Sequence, residues 1–285
     1  MKTAFYLYSV VHNKLDTASS RIRGDWLIKY WQDAEPIHFG RNYDAIIYQK
    51  VYEVRHAKVF KGVKILDVCD PDWLQTKEPF VEMIKEVDAV TCPTENLKRV
   101  MEQWVDKPVI VIPDRHDLEY FREKKIHNGR AKEVCWFGYS HNSPPLKSVR
   151  KYLTENDLAI SIIADQPVIL SEQEAGINVH ERFTKWNLDT VNKEIIKSDF
   201  VIMPGSKAPA HHFKSNNKTI HAHLLNMPVA TSVEELERYI DPKNRIEDAG
   251  KNLKIAEEQY DVKKSVKEFK ELIERLSEQN RVSHK

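Results

Sequence analysis

Glycine is scarce in this sequence. The chain has 285 residues and 8 glycines, where average usage of about 7% would give roughly 20. No two glycines lie closer than nine positions. This spacing excludes the G-x-G-x-x-G and G-x-x-x-x-G-K-[ST] motifs, in which closely spaced glycines let the backbone approach phosphate groups. A standard Rossmann dehydrogenase, a P-loop NTPase and a protein kinase are therefore excluded.

An excess of charge and long apolar runs are also missing. Forty-four Lys and Arg are balanced by 43 Asp and Glu, which gives a net charge of +1, so non-specific binding to a polyanion is not expected. The apolar run 4–11 is too short and too aromatic for a signal peptide. No stretch approaches the roughly 20 apolar residues that span a bilayer, so no transmembrane segment is expected.

Cysteine is rare and widely spaced. Cys69, Cys92 and Cys135 each lie in or after an apolar run, which is typical of buried, reduced thiols rather than of a disulfide or zinc framework. A cytoplasmic location is therefore expected. His221 and His223 are two positions apart and would lie on different faces of a helix, so we predict no metal site.

What the sequence does contain is a repeated alternation of β-rich runs and segments of helical period, which predicts an α/β protein with parallel sheets. Strands are predicted at 3–11, 45–48, 63–68, 89–91, 109–112, 133–137, 158–163, 178–180, 200–203 and 229–231, and helices at 24–32, 79–86, 95–105, 190–197 and 218–225. The charged stretch 121–132 contains Asn-Gly and is predicted to be a linker. The predicted domains are therefore 1–125 and 126–285.

The polar loop after the strand at 200–203 leads into a predicted helix. Lys214, Ser215, Asn216, Asn217 and Lys218 lie at its start. Free backbone N–H groups, the positive end of the helix dipole and two lysines would form a site for a diphosphate. The alternative is that Ser215 or Asn216 only caps the helix.

Four segments resemble the GT-B glycosyltransferases, especially those of family 4. They are VDAVTCPTENLKRVMEQWVDKPVIVIPDRHDLEYF at 87–121, VCWFGYSHN at 134–142, SDFVIMP at 198–204 and KSNNKTIHAHLLNMPVAT at 214–231. The four segments lie within residues 87–231, which is roughly half of the chain. It implies two Rossmann-like domains with parallel sheets that face a central cleft. The N-terminal domain would bind the acceptor and the C-terminal domain the nucleotide-sugar donor.

The resemblance implies a hexosyltransferase-like enzyme that moves a sugar from a nucleotide-sugar to a hydroxyl group. The expected donor is a UDP-sugar. The acceptor would be a sugar, a lipid-linked molecule or a nucleic acid. It would need no cofactor and no metal. The donor-binding residues that it implies are Gly138, Trp186, Lys214, Ser215, Asn216, Asn217, Lys218 and His221. Lys218 would also stabilise the departing diphosphate. For Trp186, a place in the core or in a lid is the alternative.

The sequence also departs from the family pattern. Family 4 enzymes usually have two glutamates eight positions apart, and Phe213 and His221 stand there instead, while Asn226 replaces a usual glycine. A catalytically inactive GT-B module that binds a nucleotide-sugar or a partner therefore stays open. A DNA glycosyltransferase that modifies hydroxymethyl-pyrimidines and a nucleotide-sugar epimerase of the same fold also stay open.

The loop after the first strand is the predicted acceptor side, since ligands of open α/β sheets bind at the carboxyl ends of strands. His12 is a candidate general base, because the pKa of a histidine lies near neutral pH. Arg21, Arg23 and Asp70 are candidate acceptor-binding residues, and a solvated arginine pair is the alternative. Asp70 and Asp72 also form a D-x-D, the metal-binding motif of the GT-A fold, which is the second-ranked fold.

Overall fold

The computed structural model describes residues 1–14, 17–74, 77–172, 177–206 and 208–283. The chain divides into two compact units. Unit 1 contains Met1–Asp117, Ala208–Ser215 and Tyr260–Lys285, and unit 2 contains Leu118–Lys207 and Asn216–Gln259.

Unit 1 is built on a parallel sheet of six strands in the order β2-β1-β3-β4-β5-β6. The strands are β1 Thr3–Leu7, β2 Ala34–Pro36, β3 Ala45–Gln49, β4 Val63–Asp67, β5 Ala89–Cys92 and β6 Val109–Val111. Every residue of β1, β3 and β5 is buried. Their nearly continuous apolar sequence follows from this, because a parallel sheet is covered on both faces.

Short helices connect these strands. They are α1 Tyr8–Val11, α2 Ala18–Ser20, a π-helical turn at Arg21–Asp25, α3 Trp26–Lys29, α4 Val54–Val59, α5 Lys77–Glu86 and α6 Glu95–Met101. Thr94 caps α6, since its hydroxyl accepts a hydrogen bond from the Leu97 N–H at 3.2 Å. Such a cap satisfies an N–H group that has no partner within the helix.

Unit 2 has a second parallel sheet, of five strands in the order β11-β10-β7-β8-β9. Its strands are β7 Glu133–Phe137, β8 Ala159–Ala164, β9 Glu181–Lys185, β10 Phe200–Ile202 and β11 Val229–Ala230. Its helices are α7 Arg150–Glu155, α8 Val191–Ile195, α9 Asn217–Leu224, α10 Val233–Arg238 and α11 Pro242–Gln259.

The last helix, α12 Val262–Ser283, lies in unit 1. Phe269 is buried and its ring is 6.4 Å from that of Phe5, edge to face, and Glu268 pairs with Arg115 at 2.6 Å. This differs from the predicted division at residues 125 and 126, which gave the whole C-terminal part to one domain. The apolar stripe of α12 packs beside the first sheet, although α12 is the last helix in the sequence and β1 is the first strand.

Residues 121–132 also differ from the predicted linker. Phe121 and Ala131 are buried, the Lys125 N–H donates to the Leu225 carbonyl at 2.8 Å, and Arg245 donates to the Gly129 carbonyl at 2.7 Å. The segment has no regular secondary structure because its backbone groups bond to side chains and loops of unit 2. It is an ordered part of that unit.

All three cysteines are buried and unpaired, which confirms the sequence-based prediction for the thiols. Over the ranges that the structure describes, no helix is long and apolar enough to cross a membrane. Within the same ranges, no group of three His, Cys, Asp or Glu side chains is placed to hold a metal ion.

Candidate functional site

Each sheet has a point where the chain reverses its direction of travel across the strands. In unit 2 the chain passes from β7 to β8 and β9 on one side, then returns to β10 on the other side of β7. In unit 1 the same reversal lies between β1 and β3. Ligands of open parallel sheets bind outside the carboxyl ends of the strands at such points. The two reversal points are therefore the candidate sites.

Lys218 lies at the carboxyl end of β7, at the reversal point of unit 2. Its ammonium is 5.4 Å from the ring centroid of Trp136, which is on β7. Gly138 follows β7 with φ +151°, and a Cβ at this glycine would lie 3.0 Å from the Lys218 Nζ. Glycine is therefore needed here both for its backbone conformation and for the approach of the lysine.

The start of α9 is not capped as a simple helix end. Asn216 is the N-cap residue, and its side chain makes no cap hydrogen bond. The Ser215 hydroxyl donates to Asp114 Oδ2 at 2.5 Å instead. The first-turn N–H groups and the Lys218 ammonium thus add positive charge at one end of the helix. This arrangement suits an anionic ligand.

The loop after β7 is fixed beside Gly138. The Ser140 N–H donates to Asp165 Oδ1 at 2.6 Å, and Asp165 follows β8. This backbone hydrogen bond lowers the pKa of Asp165, so its carboxylate stays ionised. The Tyr139 ring stacks on His141 at 5.6 Å. The loop is therefore anchored to the neighbouring strand at its base.

His221 was predicted to contact the donor, but the structure gives it a packing role. It is 6% exposed, and its ring lies 4.8 Å from Phe121 and 5.2 Å from Phe137. The Asn192 Nδ2 donates to the Tyr120 carbonyl at 3.0 Å, so the Asn192 Oδ1 must accept from His221 Nε2 at 2.8 Å. This bond fixes the tautomer and turns Nε2 into the interior of unit 2.

The other predicted donor residues are divided between the units. Asn216, Asn217 and Lys218 are in unit 2, whereas Lys214 and Ser215 are in unit 1. Trp186 follows β9, and its backbone N–H donates to the Ala164 carbonyl at 2.8 Å. Its ring is partly buried and lies 6.4 Å from that of Phe137. Of the predicted donor residues, the structure brings Gly138 and Lys218 together. Sequence analysis missed Trp136, whose ring contacts Lys218, although Trp136 stands only two positions before Gly138.

Arg23 does not face an acceptor. It is 3% exposed, its Nε and Nη2 donate to Asp67 at 2.7 and 2.6 Å, and its Nη1 donates to Asp114 at 2.9 Å and to the Ile112 carbonyl at 2.7 Å. Burial opposes ionisation, but the two carboxylates raise the pKa of Arg23. Arg23 is therefore a structural ion-pair centre, which corrects its predicted role. Arg23 lies in the helical turn Arg21–Asp25 and not in a loop, and its side chain points into unit 1.

Arg21 is also buried. It is 7% exposed, and its guanidinium lies 5.6 Å from the Trp26 ring. Neither a solvated arginine pair nor an exposed acceptor-binding pair is present, because both side chains point into unit 1. The two-residue spacing was compatible with either alternative and gave no signal of this burial.

Asp70 and Asp72 are held by a lysine. Lys50 Nζ lies 2.6 Å from Asp70 and 3.4 Å from Asp72, and the Tyr52 hydroxyl donates to Asp72. Burial raises the pKa of Asp72, although Lys50 opposes the shift. An ammonium thus stands between the two carboxylates where a metal would stand in a D-x-D site. The geometry gives Asp70 an ion-pair role and does not favour the GT-A alternative.

His12 lies at the reversal point of unit 1. It is exposed just after α1, and its ring lies 4.1 Å from that of Tyr8 with an angle of 38° between the rings. Lys50 Nζ is 5.4 Å from the same tyrosine ring, and Gln49 at the end of β3 accepts from the Tyr8 N–H at 3.3 Å. The structure therefore places an exposed imidazole and the Lys50 ammonium next to the same tyrosine ring, at the sheet edge where ligands of open α/β sheets bind.

No protein-family model matches the sequence, and no curated protein matches it. The fold does resemble solved structures. HepE from Anabaena, in complex with UDP and glucose, has a TM-score of 0.70 at 13% identity, over 96% of this chain and 99% of that chain. The DNA-modifying β-glucosyltransferase of phage T4, solved with and without uridine diphosphoglucose, has a TM-score of 0.61 at 12% identity, over 96% and 99%.

TarM from S. aureus is also similar, with a TM-score of 0.60 at 12% identity. Its structure holds Fondaparinux, alpha-GlcNAc-glycerol and UDP. The match covers 87% of this chain and 56% of that chain, so this chain spans little more than half of TarM. These neighbours confirm the predicted GT-B fold with two parallel α/β sheets.

Proposed function

Since the chain has the fold of the GT-B glycosyltransferases, we propose that it transfers a sugar from a nucleotide-sugar to a hydroxyl acceptor. The observation that supports this most is the position of Lys218 beside Gly138 at the reversal point of unit 2. A fold alone does not imply a function, but a helix start with a lysine at this point suits the diphosphate of the donor.

The proposed reaction needs positive charge at the leaving group. The bond between the anomeric carbon and the diphosphate oxygen breaks, and the acceptor oxygen forms a new bond to that carbon. Negative charge therefore grows on the nucleoside diphosphate. The Lys218 ammonium and the N–H groups of the first turn of α9 would stabilise this charge more strongly in the transition state than in the bound donor.

We propose UDP as the nucleotide, because HepE and TarM were solved with UDP and the phage enzyme with uridine diphosphoglucose. The partly buried Trp186, at the carboxyl end of β9, is the proposed stacking surface for the base. No cofactor is proposed. The three buried, unpaired thiols support a cytoplasmic location.

Lys218→Ala tests the proposal. It should lower turnover of the nucleotide-sugar by about a hundredfold, the typical loss on removing one group that stabilises a developing anion, and it should weaken UDP binding. Lys151→Ala is the matched control, since Lys151 is also a helical lysine of unit 2 and its side chain is 78% exposed. Release of UDP from a panel of UDP-sugars and UDP calorimetry are the measurements.

The results distinguish the alternatives. UDP binding without any release of UDP would favour a catalytically inactive module. Equal turnover by the Lys218→Ala variant and the parent would mean that the start of α9 does not hold the diphosphate, and the proposal would lose its main support.

His12 is the proposed general base on unit 1, where it would remove the proton of the acceptor hydroxyl. His12→Ala should lower the rate of sugar transfer at least about a hundredfold, while the dissociation constant of UDP stays the same, because unit 2 holds the nucleotide. His180→Ala is the control, since the His180 side chain is 69% exposed and lies before the amino end of β9, away from the edge where ligands bind. An unchanged transfer rate would remove His12 from the mechanism.

A further inference from the structure

Unit 1 contains a pocket of about 280 Å³, including its open mouth, between the loop after β2 and α4. Phe39, Arg41, Tyr43, His56 and Phe60 line it, and we call it the aromatic pocket. β2 and β3 flank β1 in parallel, so the loop after β2 begins at the same sheet edge as the loop after β1. Tyr43 and Phe60 instead precede the amino ends of β3 and β4, so the pocket extends along the face of the sheet.

Aromatic rings form the walls of the pocket. The Phe39 side chain is 68% exposed, yet its ring meets Tyr6 edge to face at 5.6 Å and His56 at 5.9 Å. His56 in turn stacks on Phe60 at 6.4 Å with an angle of 8° between the rings. A large exposed ring that is held in place by other rings is typical of a ligand-binding surface.

His56 lines this pocket and carries a hydrogen-bond donor. Tyr48 is fully buried, and in the described part of the chain its hydroxyl bonds to His56 Nδ1 at 2.9 Å. A buried hydroxyl proton needs an acceptor, so Nδ1 accepts and Nε2 carries the hydrogen. Burial lowers the pKa of His56, which keeps this donor neutral at pH 7.

The charges around the pocket are compensated. Arg41 donates to Glu35 Oε2 at 2.7 Å, and the Tyr43 hydroxyl donates to Glu35 Oε1 at 2.9 Å. The guanidinium is therefore already paired, and a phosphate would have to compete with Glu35 for it. The pocket thus favours an uncharged ligand with one apolar face and polar edges.

We infer that the aromatic pocket binds an uncharged pyranose ring, which the reaction would use as its acceptor sugar. The inference of an acceptor rests on the proposed function. The C–H face of a pyranose has a positive partial charge and matches the negative face of the Phe39 ring, and a sugar oxygen accepts from His56 Nε2–H.

Phe39→Ala tests the inference, because an exposed side chain is removed and the fold is kept. Binding of neutral methyl pyranosides to the full chain is measured by saturation-transfer NMR, and we expect Phe39→Ala to weaken it by about fivefold or more. Phe183→Ala is the matched control, since Phe183 is 41% exposed on β9 of unit 2, and binding should not change. Hydrolysis of UDP-sugars by water, which needs no acceptor, is measured in parallel.

The outcomes separate this inference from the proposed function. Absence of pyranoside binding in a protein that hydrolyses UDP-sugars overturns the inference and leaves the proposed function intact. Binding that depends on Phe39 in a protein that turns over no nucleotide-sugar supports the pyranose site and overturns the acceptor role. If the pocket binds a sugar phosphate or a DNA oligonucleotide through Phe39 but binds no neutral pyranoside, the inference of an uncharged ligand is overturned.

Discussion

Asn226 shows how one residue replaces another at a turn. The GT-B pattern usually has glycine here, and Asn226 takes a left-handed conformation with φ +60°, which asparagine tolerates better than most residues. Its Nδ2 donates to the Lys125 carbonyl at 2.9 Å, and its own carbonyl bonds to His127 at 2.7 Å. The departure from the pattern therefore keeps the turn and adds a contact to the segment 121–132.

Gly138 is the position where an added side chain would disturb the candidate site most directly. In Gly138→Ala, the new Cβ would displace the Lys218 ammonium from its position 3.0 Å away. The ammonium needs to move by only a few tenths of an ångström. Because misplacement by about 1 Å can cost about a hundredfold in rate, we expect turnover of nucleotide-sugar to fall by up to about tenfold. Steady-state kinetics with a UDP-sugar measures this.

Gly129→Ala is its control. Gly129 also has a positive φ, +55°, but nothing lies within 4 Å of a Cβ at this position. It should lose about 1–2 kcal/mol of stability through backbone strain and keep its rate. Equal rate losses in both variants would show that strain, rather than contact with Lys218, causes the effect.

At the scale of elements, buried strands were predictable and exposed ones were not. Strands β3 to β8, β10 and β11 were predicted within two residues at each end, because buried parallel strands are runs of apolar residues. The strand predicted at 3–11 was four residues too long, since Tyr8–Val11 forms α1. β2 has three partly exposed residues and no apolar run, so sequence analysis missed it. β9 lies at the edge of its sheet with exposed side chains and was predicted three residues too early.

Long-range contacts explain the errors at the candidate site. Ser215 was considered as a cap, yet it bonds to Asp114, which is 101 residues away in the sequence. His221 was assigned to the donor because it stands where the family usually has its second glutamate, but Phe121 and Phe137 lie against its ring. Local sequence reports propensity and periodicity, whereas tertiary partners decide which polar side chains are buried.

α9 should also make unit 2 sensitive to acid. Burial lowers the pKa of His223 to about 4, below the ordinary value of about 6.5. Folding therefore favours the neutral form of His223. The contribution of this residue to the free energy of unfolding is complete above pH 6.5 and is lost as the pH falls from about 6.5 to 4. The loss is at most about 3 kcal/mol. Thermal unfolding at pH 7 and pH 4.5 measures it.

His223→Gln is the comparison, because glutamine does not titrate. We expect the drop in melting temperature between the two pH values to become smaller in this variant. A drop of the same size in both proteins would assign the acid sensitivity to other groups, among them His127, whose pKa burial also lowers.

At the scale of the whole molecule, the chain returns to unit 1 at its end. Phe269 of α12 is 1% exposed, and Phe269→Ala should cost about 3–5 kcal/mol, the usual loss for a buried phenylalanine. Hydrogen exchange should show faster exchange in β1 and β4 of unit 1. Val282→Ala, on the same helix at a site that is 75% exposed, should change neither stability nor exchange.

The distribution of the three thiols has a practical consequence. Cys69 and Cys92 are in unit 1, Cys135 is in unit 2, and burial raises the pKa of all three thiols. A buried thiol reacts with an alkylating reagent only after its surroundings open. The rate at which iodoacetamide labels each cysteine, followed by mass spectrometry of the peptides, therefore reports the opening of each unit without any introduced probe.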